Sequence, residues 1–420
     1  GQAYLGLPGG PQLIAPQPEN TGGIAIAVAA DTVTIVNEGT IRGALGGSLT
    51  PEGGPILIPI NMANLDFEGV FGGAIDTFDG SVDDVTNSAT GVIEGGIALR
   101  SGDDKFTNLG TVNGSVDMGA GNDWLTAVGP ITGNITMGTG NDILVTPLNG
   151  AATRFGGTID GGTDDNGGDG DTFLFAVANG GALEEMSGVT LTGFEYVAIG
   201  GDGTVTSDGT AHGPIQVATG NVTLAAGNTF NASFRGDAPL LAQTLTNAGT
   251  INGNVSLGDQ NDTFTNTGTI NGSVDMGTGD DWMLAAGPIT GSIAMGTGND
   301  IFITALNGAA TRFGGAIDGG DGGDSFIFAI SAGGSLEEAF AVNLANFEFV
   351  ALGGDGTVTS DGTAHTAMQL AGGDITLAAG STFNASGEYA FRGDAQLVQT
   401  LTNDCTINGS VFLGAMDDTF

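Results

Sequence analysis

Residues Thr107–Asp142 read TNLGTVNGSVDMGAGNDWLTAVGPITGNITMGTGND, and Thr265–Asp300 read TNTGTINGSVDMGTGDDWMLAAGPITGSIAMGTGND. Extended to Asp160 and Asp318, the two stretches are identical at 41 of 54 positions, so the chain is built by duplication. A shorter period runs inside each copy. Gly91, Gly110 and Gly129 each open a G-x-[IV]-x-G unit at 19-residue intervals, and Gly249, Gly268 and Gly287 do the same. In TVNGSVDM, Val112, Val116 and Met118 share one parity with Gly114 between them, the period-2 pattern of a half-buried strand. A G-x-G-[ND]-D turn follows, then a second short apolar run such as WLTA or IFIT. Two short strands and two turns make one coil, which buries its apolar face only against the coils above and below. The spacing predicts an all-β fold, a right-handed parallel β-solenoid (β-helix) rising about 4.8 Å per coil.

The long tandem repeat is roughly 156 residues, from Thr246 to its counterpart Thr402. Four regions follow: a less regular N-terminal region 1–87, a first long repeat 88–245, a second 246–401, and the start of a third at 402–420. In the first region, VTIVNEGTIRGAL is the only convincing rung. The stretches 163–245 and 321–401 are less regular but keep strand-like runs, so the solenoid is expected to continue through them with side loops. The chain starts at Gly1 without a basic leader and stops at Phe420 in mid-pattern. A mature or excised chain from a longer protein is expected.

Composition narrows the function. There are 47 acidic residues against 7 basic ones, a net charge of −40, so nothing here neutralises nucleic-acid phosphates or docks on an anionic membrane. With 79 glycines the chain is no helical bundle, because each interior Gly costs a helix about 1 kcal/mol. Disorder is also excluded: 40% of residues are hydrophobic and only 13% charged, enough to form a core. No run of about 18 apolar residues is present to span a bilayer. The single Cys405 decides nothing about compartment.

The acidic residues are partly periodic. Turns of one template end in Asp104, Asp123, Asp142, Asp262, Asp281, Asp300 and Asp418, each preceded by Asn or Asp and followed two residues later by a large apolar residue. Stacking would set these carboxylates about 4.8 Å apart, a row that needs screening, hydrogen bonds or a bridging cation. Two readings stand side by side. In one, Asp caps its own turn while Gly supplies positive φ and Asn forms a ladder; in the other, the row holds a hard divalent ion.

The template resembles the calcium-binding nonapeptide of RTX β-rolls, G-G-x-G-x-D-x-U-x, which GGDGGDSFI at Gly319–Ile327 matches in full, with Asp324 in the ligand position. The resemblance implies Ca2+ at Asp104, Asp123, Asp142, Asp262, Asp281, Asp300, Asp324 and Asp418. Elsewhere the first Gly is replaced by Met118, Met137, Met276 or Met295, and the motif occurs once per coil rather than in tandem. At a larger scale, Thr246–Phe264, Gly314–Phe328, Asn346–Thr357 and Gly373–Phe383 are similar to bacterial autotransporter passenger domains, over about Thr86 to Phe420. That resemblance implies a right-handed parallel β-helix, export to the cell surface and a C-terminal membrane barrel beyond this segment.

Catalytic constellations are sparse. His212 and His365 follow Ser207–Asp208 and Ser360–Asp361 in the duplicated loop TVTSDGTAH, a nominal Ser/His/Asp set that reads more simply as a polar loop copied with its module. Cys405 replaces the turn glycine Gly249 of the previous copy. Trp124 and Trp282 match each other beside the acidic turns and are expected to face outward, either covering a loop or meeting a neighbouring fibre. The basic residues, including the matched Arg154 and Arg312, are expected to bridge local carboxylates.

The expected function is therefore non-enzymatic: an extracellular bacterial structural or adhesive solenoid forming a surface fibre or self-assembling filament. Its expected partners are other copies, end to end or side by side, and cell-surface or matrix components. The alternatives are a monomeric autotransporter adhesin passenger and a β-helix hydrolase acting on polysaccharide, the latter disfavoured by the single Lys105 and few Arg.

Overall fold

The regular coils fold as three short segments, one more than the sequence suggests, the middle one shrinking to a single bridged residue at Ile131 and at Ile289. In one coil these are Lys105–Asn108, Thr111–Asn113 and Val116–Ala120. The TVNGSVDM stretch bends at Gly114 and Ser115 instead of running straight. Parity hid the corner: Val112, Val116 and Met118 are all buried although two strands carry them. Gly114 is required there because a Cβ would lie 2.1 Å from the carbonyl oxygen of Gly95 on the adjacent coil.

The computed structural model describes residues 26–27, 32–37, 39–42, 56–57, 74–77, 80, 82–163, 170–218, 220–236, 242–393, 398–415 and 417–420. The chain divides into two compact units, Gly1–Gly200 and Gly201–Phe420. Each is a β-solenoid of parallel, in-register strands. In the first, Trp124 lies opposite both Lys105 and Ile143, and Val116 opposite both Ile97 and Ile135. In the second, Trp282 lies opposite Thr263 and Ile301, and Val274 opposite Val255 and Ile293. The units divide at Gly200 rather than at the repeat boundary at 245. A periodic chain can be cut at any phase, so repeat and compact unit need not coincide.

The core is a set of columns. Phe106, Leu125, Leu144 and Phe173 stack rung on rung in the first unit, and Phe264, Met283, Phe302 and Phe326 in the second, all fully buried. Phe302 and Phe326 stack with ring centroids 4.7 Å apart. Burying each such ring contributes about 2–3 kcal/mol. Met118, Met137, Met276 and Met295, which replace the first motif glycine, are buried too. They occupy inward strand positions, which explains why an apolar residue stands there. A second column is polar: Asn37 Nδ2 donates to Asn87 Oδ1 at 2.8 Å and Asn87 Nδ2 to Asn108 Oδ1 at 2.8 Å, and Asn247 donates to Asn266 at 2.8 Å in the other unit.

The irregular stretches keep the solenoid, as Thr172–Ala176 and Tyr196–Gly200 show in one unit and Ser325–Ala329 and Phe349–Gly353 in the other. Coil length grows from 19 residues to 24 or 29 where short helices, Ala151–Arg154 and Ala309–Arg312, sit at a corner. The expectation for Arg154 and Arg312 is corrected here. Among the described residues neither makes a direct ion pair, and Glu185 and Glu338 act on them only through space: Arg312 donates to Thr304 Oγ1 (2.8 Å) and to the carbonyls of Ala305 (2.7 Å) and Asn307 (2.8 Å), and Arg154 binds Thr146, Pro147 and Asn149 alike. A planar fork of donors suits carbonyls left unpaired where the strand ends. Arg100 does meet a carboxylate, donating to Asp76 at 2.7 and 2.9 Å. Of the N-terminal rung, Thr32–Asn37 and Thr40–Arg42 pair with Val82–Asn87 and Val92–Glu94; most of 1–87 lies outside the described residues.

Close coil contact gives a direct test. At Gly287 a Cβ would stand 1.7 Å from the Gly268 carbonyl oxygen. Gly287→Ala is expected to lower unfolding stability by about 1–3 kcal/mol through overpacking, read from denaturant midpoints; an unchanged midpoint contradicts the stacking distance.

Candidate functional site

The acidic turns form a ladder, and it faces inward. Asp104, Asp123, Asp142, Asp262, Asp281, Asp300 and Asp324 are all buried, and Asp418 is half-buried. Each Oδ1 accepts the backbone N–H of the matching residue one coil earlier. Asp123 Oδ1 accepts from Asp104 N, Asp142 from Asp123, Asp281 from Asp262 and Asp300 from Asp281, at 2.7–2.8 Å. Asp324 accepts from Asp300 at 2.9 Å and Asp418 from Gln399 at 2.9 Å. The carboxylate thus caps its neighbour's turn, not its own.

An outer row runs the other way. Asp103 Oδ1 accepts Asn122 N–H, Asn122 accepts Asn141 N–H, Asn261 accepts Asp280 N–H and Asp280 accepts Asn299 N–H, at 2.7–2.9 Å. Two adjacent side chains in one turn therefore bond the coils on both sides. This is why Asn and Asp alternate freely at the outer position, while the inner one is Asp throughout the regular template.

Several members escaped the sequence reading. Asp83 N–H donates to Asp104, Asp142 N–H to Asp171, and Asp171 N–H to Glu195 Oε2 at 2.9 Å. In the second unit Gln243 N–H donates to Asp262, and Asp324 N–H to Glu348 Oε2 at 2.8 Å. The signal that finds them is parity, not motif: each stands two residues before an inward apolar residue, as Asp171 before Phe173 and Gln243 before Leu245.

The second oxygen decides the electrostatics. Oδ2 of Asp104, Asp123, Asp262, Asp281, Asp300 and Asp324 is buried without a hydrogen-bond partner. Burial pushes the carboxyls of Asp104, Asp123, Asp262 and Asp281 up to about 7 and that of Asp300 up to about 6. The accepted N–H pulls each back down, and neighbouring carboxylates push it up again. Burial raises Asp324 as well.

Calcium binding takes six to eight converging oxygens. Here each of the buried carboxylates Asp104, Asp123, Asp262, Asp281, Asp300 and Asp324 has one oxygen held by a backbone N–H and the other inside the coil stack. Among the described residues, no three His, Cys, Asp or Glu side chains converge as a metal-binding set. The donor set does not fit the calcium cage that the RTX resemblance implies. Melting temperature is therefore expected to be the same with excess calcium and with a chelator; a drop of several degrees on chelation contradicts this assignment.

The duplicated Ser/Asp/His loop does not form a relay in the second unit. The Ser360 hydroxyl donates to Glu337 Oε1 at 2.6 Å, and His365 Nε2 lies 3.5 Å from the same oxygen, its ring stacked on Phe340 at 4.2 Å. Asp361 Oδ1 accepts from Thr363 N and Oγ1 instead, and Asp208 does the same with Thr210. Burial pushes the Glu337 carboxyl up, but the Ser335 and Ser360 hydroxyls and two backbone N–H groups hold it down at about 2. Glu337 is the hub that ties the short helix Leu336–Ala341 to this loop. Cys405 donates to Asn403 Oδ1 at 2.9 Å, and burial with Asp404 nearby pushes its thiol up, away from a reactive thiolate.

Fold and ladder together define the class, a parallel β-solenoid repeat protein. No family model, curated protein or solved structure matches the chain.

The ladder makes stability depend on pH with an unusual sign. An Asp281 that titrates near 7 when folded and near 3.8 when unfolded binds more protons in the native state between those values. Stability then falls as pH rises through that window. Thermal unfolding is expected at higher temperature at pH 5 than at pH 8, and Asp281→Asn should flatten the slope while keeping the Oδ1 acceptor. Asp281→Ala should lose about 1–3 kcal/mol at either pH by orphaning the Asp262 N–H. A melting temperature that rises from pH 5 to pH 8 rules the ladder out as the controlling group.

Proposed function

We propose that this chain is a non-enzymatic structural or adhesive element of a bacterial cell surface, exported and self-associating into a fibre. One observation carries the reading. The polar side chains placed by the repeat are spent on coil-to-coil bonds: inner Asp, outer Asn or Asp, and core Asn each bond an adjacent coil. Such chemistry builds length and stiffness and leaves the repeated motif without a group reserved for a substrate. The likeness of Thr246–Phe264 and Gly373–Phe383 to autotransporter passengers supports export. The net charge of −40 supports a soluble surface coat that repels nucleic acid and anionic lipid. Among the described residues, no helix is long and apolar enough to cross a membrane.

Electron microscopy of the purified 420-residue chain tests the reading. Filaments or lateral arrays that grow with protein concentration are expected. Separate particles at every concentration favour the rival reading, a monomeric passenger that carries an adhesive surface.

A further inference from the structure

One face of each unit departs from the polar exterior expected of so acidic a chain. In the strands Trp282–Ala285, Ile301–Ala305 and Ser325–Ala329, inward Met283, Phe302 and Phe326 form a column and the alternate residues point outward, while in Phe349–Gly353 only Phe349 continues the outward set, Ala351 and Gly353 being buried. The outward set contains two columns. Trp282, Ile301, Ser325 and Phe349 lie in register in one, and Leu284, Ile303 and Ile327 in the other. Ile301 is 38% exposed, and the others are half-buried. Neither column holds a charge. The first unit repeats the pattern in part: Trp124, 41% exposed, lies beside Ile143, with Val145, Leu174 and Tyr196 on the same outward set, but Lys105 stands opposite Trp124 in the first column.

We propose that this outward apolar sheet face is the surface through which copies of the chain associate side by side; the inference rests on the self-associating reading above. Three arguments select a second copy as the occupant. First, charge: two chains of −40 repel wherever acidic turns meet, and an uncharged face lets them approach with those turns held apart. Second, shape: a flat face with a rung every ~4.8 Å is matched by another face with the same rung spacing, so side chains of one column interdigitate with those of the partner. Third, area: four rungs by five residues is about 300 Å², far below the ~800 Å² per partner of a standard interface. One patch alone gives weak association. A contact of this size gives association whose extent depends on protein concentration.

The test uses sedimentation of the full chain over a hundredfold concentration range at low and high salt. Wild type is expected to gain mass with concentration, and more so at high salt, which screens the acidic turns and leaves the apolar contact. Ile143→Glu/Val145→Glu/Ile301→Glu/Ile303→Glu should remain monomeric at concentrations at least tenfold above the wild-type onset. Thr139→Glu adds acid at an exposed position on a different sheet and should associate with an onset within threefold of wild type. If the four glutamates disturb folding, seen by circular dichroism, Trp124→Ser/Trp282→Ser is the substitute, with an onset raised at least threefold. A folded face variant that associates like wild type overturns this face and leaves self-association standing. A wild type that is monomeric throughout overturns both. A monomeric wild type that binds insoluble polysaccharide or neutral vesicles, with binding lost in the face variant, assigns the face to that partner instead.

Discussion

A turn in a solenoid cannot satisfy its own backbone. Its N–H groups point along the stacking axis, toward a coil that is itself turning, and a buried N–H without a partner costs about 1–3 kcal/mol. The inner aspartate resolves this at every regular rung by accepting the N–H of the adjacent coil, and the outer Asn or Asp repeats the bond in the opposite direction. Everything else follows from keeping those bonds short. Glycine stands where adjacent carbonyls approach too closely for a Cβ, and coil length holds at 19 through the regular coils, rising to 21 between Asp83 and Asp104 and to 24 where a helix takes up residues at a corner. A large apolar residue, Phe, Leu or Met, fills the column two residues after each aspartate.

The architecture was legible because duplication and parity are properties of the sequence. The identical spacing of Gly110, Gly129, Gly268 and Gly287 sets the coil, and the Asp-x-apolar pattern sets the inward face. Two things were not legible. The corner at Gly114 falls between residues of equal parity, so alternation continues through it and two strands read as one. The orientation of the aspartates was available in principle, since Asp104 and Phe106 are two residues apart and share a face. The motif's likeness to a calcium turn drew attention to the carboxylate's charge and away from its parity. Gln243, Glu195 and Glu348 break the motif in letter yet keep the parity, and only the register of the coils places them on the ladder. The arginines misled for a related reason. In a chain with so much acid an ion pair looks inevitable, but Arg312 sits where carbonyls at a strand end need donors more than any carboxylate does.

The acidic excess therefore divides into two populations. Surface carboxylates carry the charge that repels other anions. Buried carboxylates trade charge for hydrogen bonding: with one oxygen held by an N–H and the other excluded from water, they favour the neutral acid up to near physiological pH. The formal charge counted from composition overstates the charge the folded protein carries under mildly acidic conditions.

Carboxyl-carbon chemical shifts in aspartate-labelled protein, followed between about pH 3 and pH 9, test that account most directly. It predicts a distinct set of aspartates whose midpoints lie near 6 to 7, assigned by the loss of single signals in Asp123→Asn and Asp281→Asn. Titration of every aspartate near its ordinary value of about 4 would contradict a buried, hydrogen-bonded ladder.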